Sequence, residues 1–218
     1  MTSPLHPLLL DISLWSADLA NLERDIRRLE PVADSFHLDA CDGHYAPTLL
    51  FFPDLVARIR QLTTKPLHLH LMATRPMDLL PAFLDAGVDL VTVPVELGKR
   101  VWQVLEHVRG RGKQTGISLE LDTHSDLAKP YITRVNTVVM MGTSMGVKGC
   151  GLDERACGRI TAMRNLLDGH PVRITADGGI REESAPLLRA AGADVIVPGS
   201  LICNAADPAA TAAWLRSL

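Results

Sequence analysis

Eight times along this chain a short, almost wholly apolar run is followed by a longer amphipathic one, and no other feature narrows the fold as far. The short runs are LLLDISL at 8–14, DSFHLDA at 34–40, LHLHLM at 67–72, DLVTVPV at 89–95, TGISLEL at 115–121, NTVVMM at 136–141, VRITAD at 172–177 and ADVIVPG at 193–199. Runs this short and this continuously apolar are expected of strands buried on both faces, as in a parallel sheet. Between them fall helical patterns, beginning with DLANLERDIRRLE at 18–30 and ending with DPAATAAWLRSL at 207–218, with a weak and short one around SDLAKPYI at 125–132. Gly87, Gly110 and Gly192 stand where helices should stop. Eight strand–helix units in 218 residues leave no room for a second domain, so the expected architecture is a single (β/α)8 TIM barrel over residues 1–218. A doubly wound open sheet is the alternative, but no G-x-G-x-x-G follows the first strand, which removes the commonest ligand of such a sheet.

Composition excludes several function classes. The formal net charge is −3 and the Lys and Arg residues are scattered, which argues against a nucleic-acid surface. No apolar run approaches the ~20 residues of a membrane helix. The start, MTSPLHPLLLDISL, lacks the basic segment and cleavage site of a signal peptide. The four cysteines, Cys41, Cys150, Cys157 and Cys203, form no C-x-x-C pair and read as reduced thiols, so a cytoplasmic protein is expected.

In a barrel the chemistry sits at the C-terminal ends of the strands. Here the second strand ends His37-Leu38-Asp39, the third carries His68-Leu69-His70-Leu71-Met72, the seventh ends Thr175-Ala176-Asp177, and the first contributes Ser13. Residues i and i+2 of a strand share a face, so two imidazoles and two carboxylates can converge at the barrel mouth. Burying two carboxylates together is costly unless a cation or a shared proton compensates. A His2Asp2 set suits a divalent metal such as Zn2+, Mn2+, Fe2+ or Co2+, since imidazole and carboxylate together do not select sharply. Gly178-Gly179 and Gly199-Ser200 follow the seventh and eighth strands, where barrels often hold a phosphate on backbone N–H groups. His68 shares a face with His70 but sits deeper, and is expected to be a hydrogen-bonded core residue rather than a ligand. His6, His107, His124 and His170 fall in loops or helices with no case for a role.

At these positions the chain resembles the ribulose-phosphate 3-epimerases. Ile12-Ser13-Leu14-Trp15-Ser16-Ala17-Asp18 is similar to the family's Pro-Ser-Ile-Leu-Ser-Ala-Asp. His37-Leu38-Asp39-Ala40-Cys41-Asp42-Gly43-His44-Tyr45-Ala46-Pro47 resembles its His-Phe-Asp-Val-Met-Asp-Gly-His-Phe-Val-Pro, and His70-Leu71-Met72, Asp177-Gly178-Gly179-Ile180 and Gly199-Ser200 match further family motifs. The resemblance implies a barrel of the ribulose-phosphate-binding type and a metal held by His37, Asp39, His70 and Asp177. It implies that Asp39 and Asp177 are the acid/base pair inverting C3 of a ketose phosphate through a metal-stabilised enediolate. D-ribulose 5-phosphate to D-xylulose 5-phosphate is the leading case, with a related pentulose, tetrulose or hexulose phosphate close behind. It further implies that Ser13 approaches the substrate, that Met72 and Met141 form an apolar lid, that His44 has a structural or site-rim role, and that the protein is a homo-oligomer.

The chain departs from the family in its contact loops. Thr143-Ser144-Met145-Gly146-Val147-Lys148-Gly149 stands where the family usually reads Asn-Pro-Gly-Phe-Gly-Gly-Gln, so Gly146 is a candidate substrate contact while the sugar itself stays open. Lys148 reads either as an anion contact or as a solvated loop lysine. Pro94 replaces a common His, Cys41 a Met and Thr48 an Asn, and Glu120 adds a carboxylate that either contacts a sugar hydroxyl or faces solvent. A barrel decarboxylase or aldolase would want a lysine beside the aspartates, and none stands at a strand end. A non-catalytic sugar-phosphate-binding paralogue would be expected to have lost one of the four residues.

Overall fold

The computed structural model describes residues 7–218. Eight parallel strands close a barrel: β1 (Leu9–Ser13), β2 (Ser35–Asp42), β4 (Leu67–Met72), β5 (Leu90–Pro94), β6 (Gln114–Leu119), β7 (Thr137–Met141), β8 (Arg173–Asp177) and β9 (Val195–Val197). Closure comes from β1, which pairs with β9 on one side and with β2 on the other, at Ser13 opposite His37. A ninth strand, β3 (Leu49–Leu50), folds back antiparallel onto the end of β2. The outer ring is formed by α1 (Leu22–Leu29), α2 (Pro53–Leu62), α3 (Pro76–Asp85), α4 (Arg100–Gly110), α5 (Ala156–Leu166), α6 (Ala185–Ala191), the short α7 (Ser200–Cys203) and α8 (Pro208–Arg216).

The expected order of elements holds, with three local differences. The first helix begins at Leu22 rather than at residue 18, because the Asp18 carboxylate accepts from the Ala20 N–H and the Asn21 side chain and so competes with the first helical turn. After β6 the chain forms a 3-10 segment over Ser125–Arg134, which contains Pro130, in place of an α-helix. The last barrel strand is only three residues long.

The apolar core lies between the sheet and the helices. Leu67, Leu69 and Leu71 of β4 point outward into it, together with Phe36 and Leu38 of β2 and Phe83 of α3. The barrel interior, by contrast, is polar. Asp11, His37, Asp39, His68, His70, Thr92, Ser118, Thr137 and Thr175 are all buried there. Gly116 of β6 faces inward as well, since a Cβ at this position would collide with the Thr92 hydroxyl and the Thr137 methyl. The hydroxyls of Thr137 and Thr175 satisfy one another at 2.8 Å.

Candidate active site and metal centre

At the C-terminal mouth, β2 presents His37 and Asp39, the neighbouring β4 presents His70 in register with Asp39, and β8 presents Asp177 from across the barrel. His37 Nε2 lies 3.3 Å from Asp39 Oδ1 and 3.5 Å from Asp177 Oδ2. His70 Nδ1 lies 3.5 Å and 3.7 Å from the same two oxygens. Four ligand atoms about 2.0–2.1 Å from a common ion stand about 3.3–3.4 Å apart when tetrahedral, so these separations suit a shared cation.

The hydrogen bonding makes the same case. His37 Nε2 and His70 Nδ1 are fully buried and have no hydrogen-bond partner among the described residues, an arrangement that native cores avoid unless something else occupies the lone pair. The other ring nitrogens are spent. His37 Nδ1 is 2.9 Å from Asp11 Oδ2, and His70 Nε2 is 3.0 Å from Ser118 Oγ. All four ligand atoms lie within 4.8 Å of one another. The residues present therefore fit a divalent cation, held through Nε2 of one histidine and Nδ1 of the other.

The electrostatics split the two carboxylates. Burial works against ionising Asp39, yet the imidazoles of His37 and His70 hold it far below the usual carboxylate range. Burial pushes Asp177 up to about 6, with His37 pulling the other way and the Asp39 charge adding to the rise. Burial also opposes protonation of His37, but the carboxylates of Asp39, Asp11 and Asp177 around it raise it well above its ordinary value. The Ser13 hydroxyl donates to Asp39 Oδ2 at 3.4 Å.

Above the four residues opens a cavity of about 220 Å3. Ser13, Met72, Met141 and Gly146 line it, and so do Gly178, Gly179, Gly199 and Ser200. Cys41, Met72, Met141 and Met145 form a separate sulfur-rich apolar cluster on the same side. Burial pushes the Cys41 thiol up to about 12, so it packs as a neutral group. Gly178 and Gly179 have φ of +92° and +72°, and Cβ atoms there would strike the Thr143 hydroxyl and the Leu152 backbone. The loops after β7 and β8 thus interlock where only glycine fits.

At the rim the structure gives Glu120, Lys148 and His44 specific surroundings. Glu120 neither contacts the cavity nor lies free in solvent, because it accepts a hydrogen bond from the Tyr45 phenol. Lys148 lines the cavity and is tied down, its Nζ 2.9 Å from the Trp15 carbonyl oxygen and 5.9 Å from the Trp15 ring centroid. His44 is exposed, and its backbone N–H donates to Asp42 Oδ1 in the loop after β2. His68 is the core residue expected, with Nδ1 2.6 Å from Asp11 Oδ2 and Nε2 2.7 Å from Thr92 Oγ1. His6 lies outside the described residues. Sequence reading passed over Asp11 and Ser118. The available signal for Asp11 was an aspartate two residues before Ser13, hence on its face, within an otherwise apolar strand.

Comparison with known proteins places the chain in a family. The sequence profile described as the ribulose-phosphate 3 epimerase family matches residues 9–203. The ribulose-phosphate 3-epimerase of Treponema pallidum (strain Nichols) is 35% identical over 191 residues, covering 86% of this chain and 88% of the relative. That of Rhodobacter capsulatus is 32% identical over 189 residues, covering 86% and 82%. That of Bacillus subtilis (strain 168) is 30% identical over 199 residues, covering 89% and 92%. Among solved structures, a 3-hexulose-6-phosphate synthase superposes with a TM-score of 0.68 at 18% identity, over 97% of this chain and 99% of that one, which supports the barrel fold alone. With the profile spanning most of the chain and these identities sustained across it, the chain belongs to the ribulose-phosphate 3-epimerase family, epimerases of the isomerase class.

Proposed function

We propose that the protein is a metal-dependent epimerase that inverts C3 of a ketose phosphate, with D-ribulose 5-phosphate and D-xylulose 5-phosphate as the first pair to test. The observation that carries this reading is the pairing of Asp39, held ionised, with Asp177, pushed up to about 6, around one buried centre. Inverting a carbon beside a ketone means removing its proton from one face and returning one to the other. A base on one face and an acid on the other, brought in from β2 and β8 with two strands between them, can do this without either moving far.

His37, Asp39, His70 and Asp177 would hold the cation. When bound, a dication such as Zn2+, Mn2+, Fe2+ or Co2+ supplies positive charge where negative charge develops on the substrate oxygens. Asp39 takes the C3 proton and Asp177 returns one to the opposite face, the roles exchanging in the reverse direction. Ser13 orients the Asp39 carboxylate through Oδ2. Met72 and Met141 exclude water from the reacting face. Gly178, Gly179, Gly199 and Ser200 receive the phosphate, with Gly146 and Lys148 closing the rim above it. Lys148 is the one lysine among the described residues that lines the cavity, and it is turned onto Trp15, so it is badly placed for Schiff-base or decarboxylase chemistry beside the aspartates.

The test has two parts. Metal content is measured on the purified protein, and a panel of ketose phosphates is then incubated with it in D2O while the C3 proton signal is followed. Exchange with one sugar names the substrate; bound metal without exchange on any sugar refutes the epimerase reading. The same reading places the protein in the cytoplasm, in keeping with its free cysteines, and as a homo-oligomer, which light scattering measures.

A further inference from the structure

Beneath the four candidate ligands lies a second buried group that the reaction itself does not use. Asp11 Oδ2 receives two imidazoles at once, His37 Nδ1 at 2.9 Å and His68 Nδ1 at 2.6 Å. Asp11 Oδ1 accepts the Ser35 hydroxyl at 2.6 Å. His68 Nε2 is 2.7 Å from Thr92 Oγ1. The three side chains are buried, and the His37 ring stands edge-on to both His68 (centroids 4.7 Å apart) and His70 (5.7 Å).

We infer that Asp11 is the positioning residue of the metal centre, holding the His37 ring with its Nε2 lone pair toward the cation, and that His68 is the strut that holds Asp11. The inference rests on the metal-centre reading above.

The argument follows from which atoms can donate. A carboxylate only accepts, so both Nδ1 atoms facing Asp11 Oδ2 carry hydrogen. His37 is then the Nδ1–H form, with Nε2 free to ligate. His68 is also Nδ1–H, its Nε2 accepting from the Thr92 hydroxyl, so neither of its nitrogens is left for a metal. Asp11, His37 and His68 are close enough to be taken for a second cation site, but every atom that would bind is already used by its neighbours at hydrogen-bond distance. His70 has the opposite arrangement, with Nε2 on Ser118 and Nδ1 free. Carboxylates behind ligand histidines fix ring orientation and strengthen the donor, and losing one typically weakens metal binding 10–100-fold.

The test begins with the wild-type protein loaded with Zn2+, in which long-range 1H–15N NMR of the histidine rings reads the tautomers. The expected result is Nδ1–H at His37 and His68 and Nε2–H at His70. An unprotonated His37 Nδ1 overturns the inference, as does a second bound equivalent of Zn2+ that removes the Nδ1 proton of His68. Asp11→Asn keeps the acceptor oxygen and removes the charge; Asp11→Ala removes both. Zn2+ dissociation constants from chelator competition are expected to weaken roughly tenfold in the first and toward 100-fold in the second, with metal-free melting temperatures recorded alongside. Folded variants that bind within twofold of wild type sink this inference and leave the metal centre standing. Failure of the wild type to take up metal sinks both. If neither variant folds, the wild-type tautomers decide.

Discussion

Replacing Asp177 with asparagine separates proton transfer from shape. The side chain is nearly the same size, its oxygen can still sit 3.5 Å from His37 Nε2 and 3.7 Å from His70 Nδ1, and the surrounding barrel should keep its fold. What is lost is a group that can carry a proton. General acid–base contributions of about 10²–10⁴ correspond to about 3–5 kcal/mol of barrier, so inversion should fall by at least that factor in both directions. Because the amide is also a weaker ligand, the assay is run at metal concentrations shown by titration to saturate the variant. Hydrogen exchange then distinguishes the two faces. With Asp39 intact, the epimer whose C3–H faces Asp39 should still trade hydrogen for deuterium without inverting, while the other epimer stays protonated. Asp39→Asn should reverse the pattern. A loss of less than tenfold in kcat/KM for Asp177→Asn, or deuterium entering both epimers at similar rates, would refute the two-base scheme.

Metal affinity should depend steeply on pH. His37, raised well above its ordinary value by the carboxylates around it, carries in the metal-free protein a proton that a cation must displace. Apparent affinity should therefore rise about tenfold from pH 5 to pH 6; a flat profile by calorimetry would contradict the site. Asp42 ties the loop after β2 to the end of β4, accepting from the His44 and Tyr45 N–H groups at 2.8 Å and 2.7 Å and from the Thr74 N–H and hydroxyl at 2.7 Å and 2.9 Å. Asp42→Ala should cost about 2 kcal/mol and lower Tm by about 4–8 °C. Burial works against the Asp42 charge, but those N–H groups hold its pKa at about 2, below the ordinary 3.8. Its contribution is thus complete above about pH 4 and lost as pH falls through 2, and the Tm gap between the two proteins should close over that interval. Lys148→Met should raise KM for a ketose phosphate several-fold with kcat little changed, since Lys148 lies at the rim and not beside the aspartates; an unchanged KM would make it a loop tether only.

The candidate metal-binding constellation was legible because strand alternation is a local rule. His37 with Asp39, and Thr175 with Asp177, share a face whatever the rest of the chain does, and the eightfold repeat supplies the barrel that points those faces inward. His68 shows where such reading stops. It has the same residue type, strand and face as His70, two positions away. What assigns the two to different tasks is the closure of β1 against β2, which brings Asp11 under His68 and His37 from 57 and 26 residues away. Glu120 was undecidable for the same reason, since its partner Tyr45 lies 75 residues off. The fold-back of Leu49–Leu50 was missed for a different cause, since periodicity carries little information over two residues. The weak helical pattern at 125–132 was legible, but not that it folds as a 3-10 segment around Pro130.

The polar barrel interior explains how these constraints coexist. Branched apolar side chains usually fill a barrel of this type, whereas here hydroxyls, imidazoles and carboxylates do. Such a filling contributes little hydrophobic stabilisation and is tolerable only when every polar atom is matched. Leu67, Leu69 and Leu71 on the outer face of β4 therefore do the packing, while His68, His70 and Met72 on its inner face are freed for chemistry. Matching is nearly complete within the interior: Asp11 with its two imidazoles and Ser35, His68 with Thr92, Thr137 with Thr175 and His70 with Ser118. Among the described residues, the ring nitrogens left over inside the barrel are His37 Nε2 and His70 Nδ1. A chain that satisfies its interior this thoroughly and leaves those two atoms facing two carboxylates has a layout that a shared cation completes.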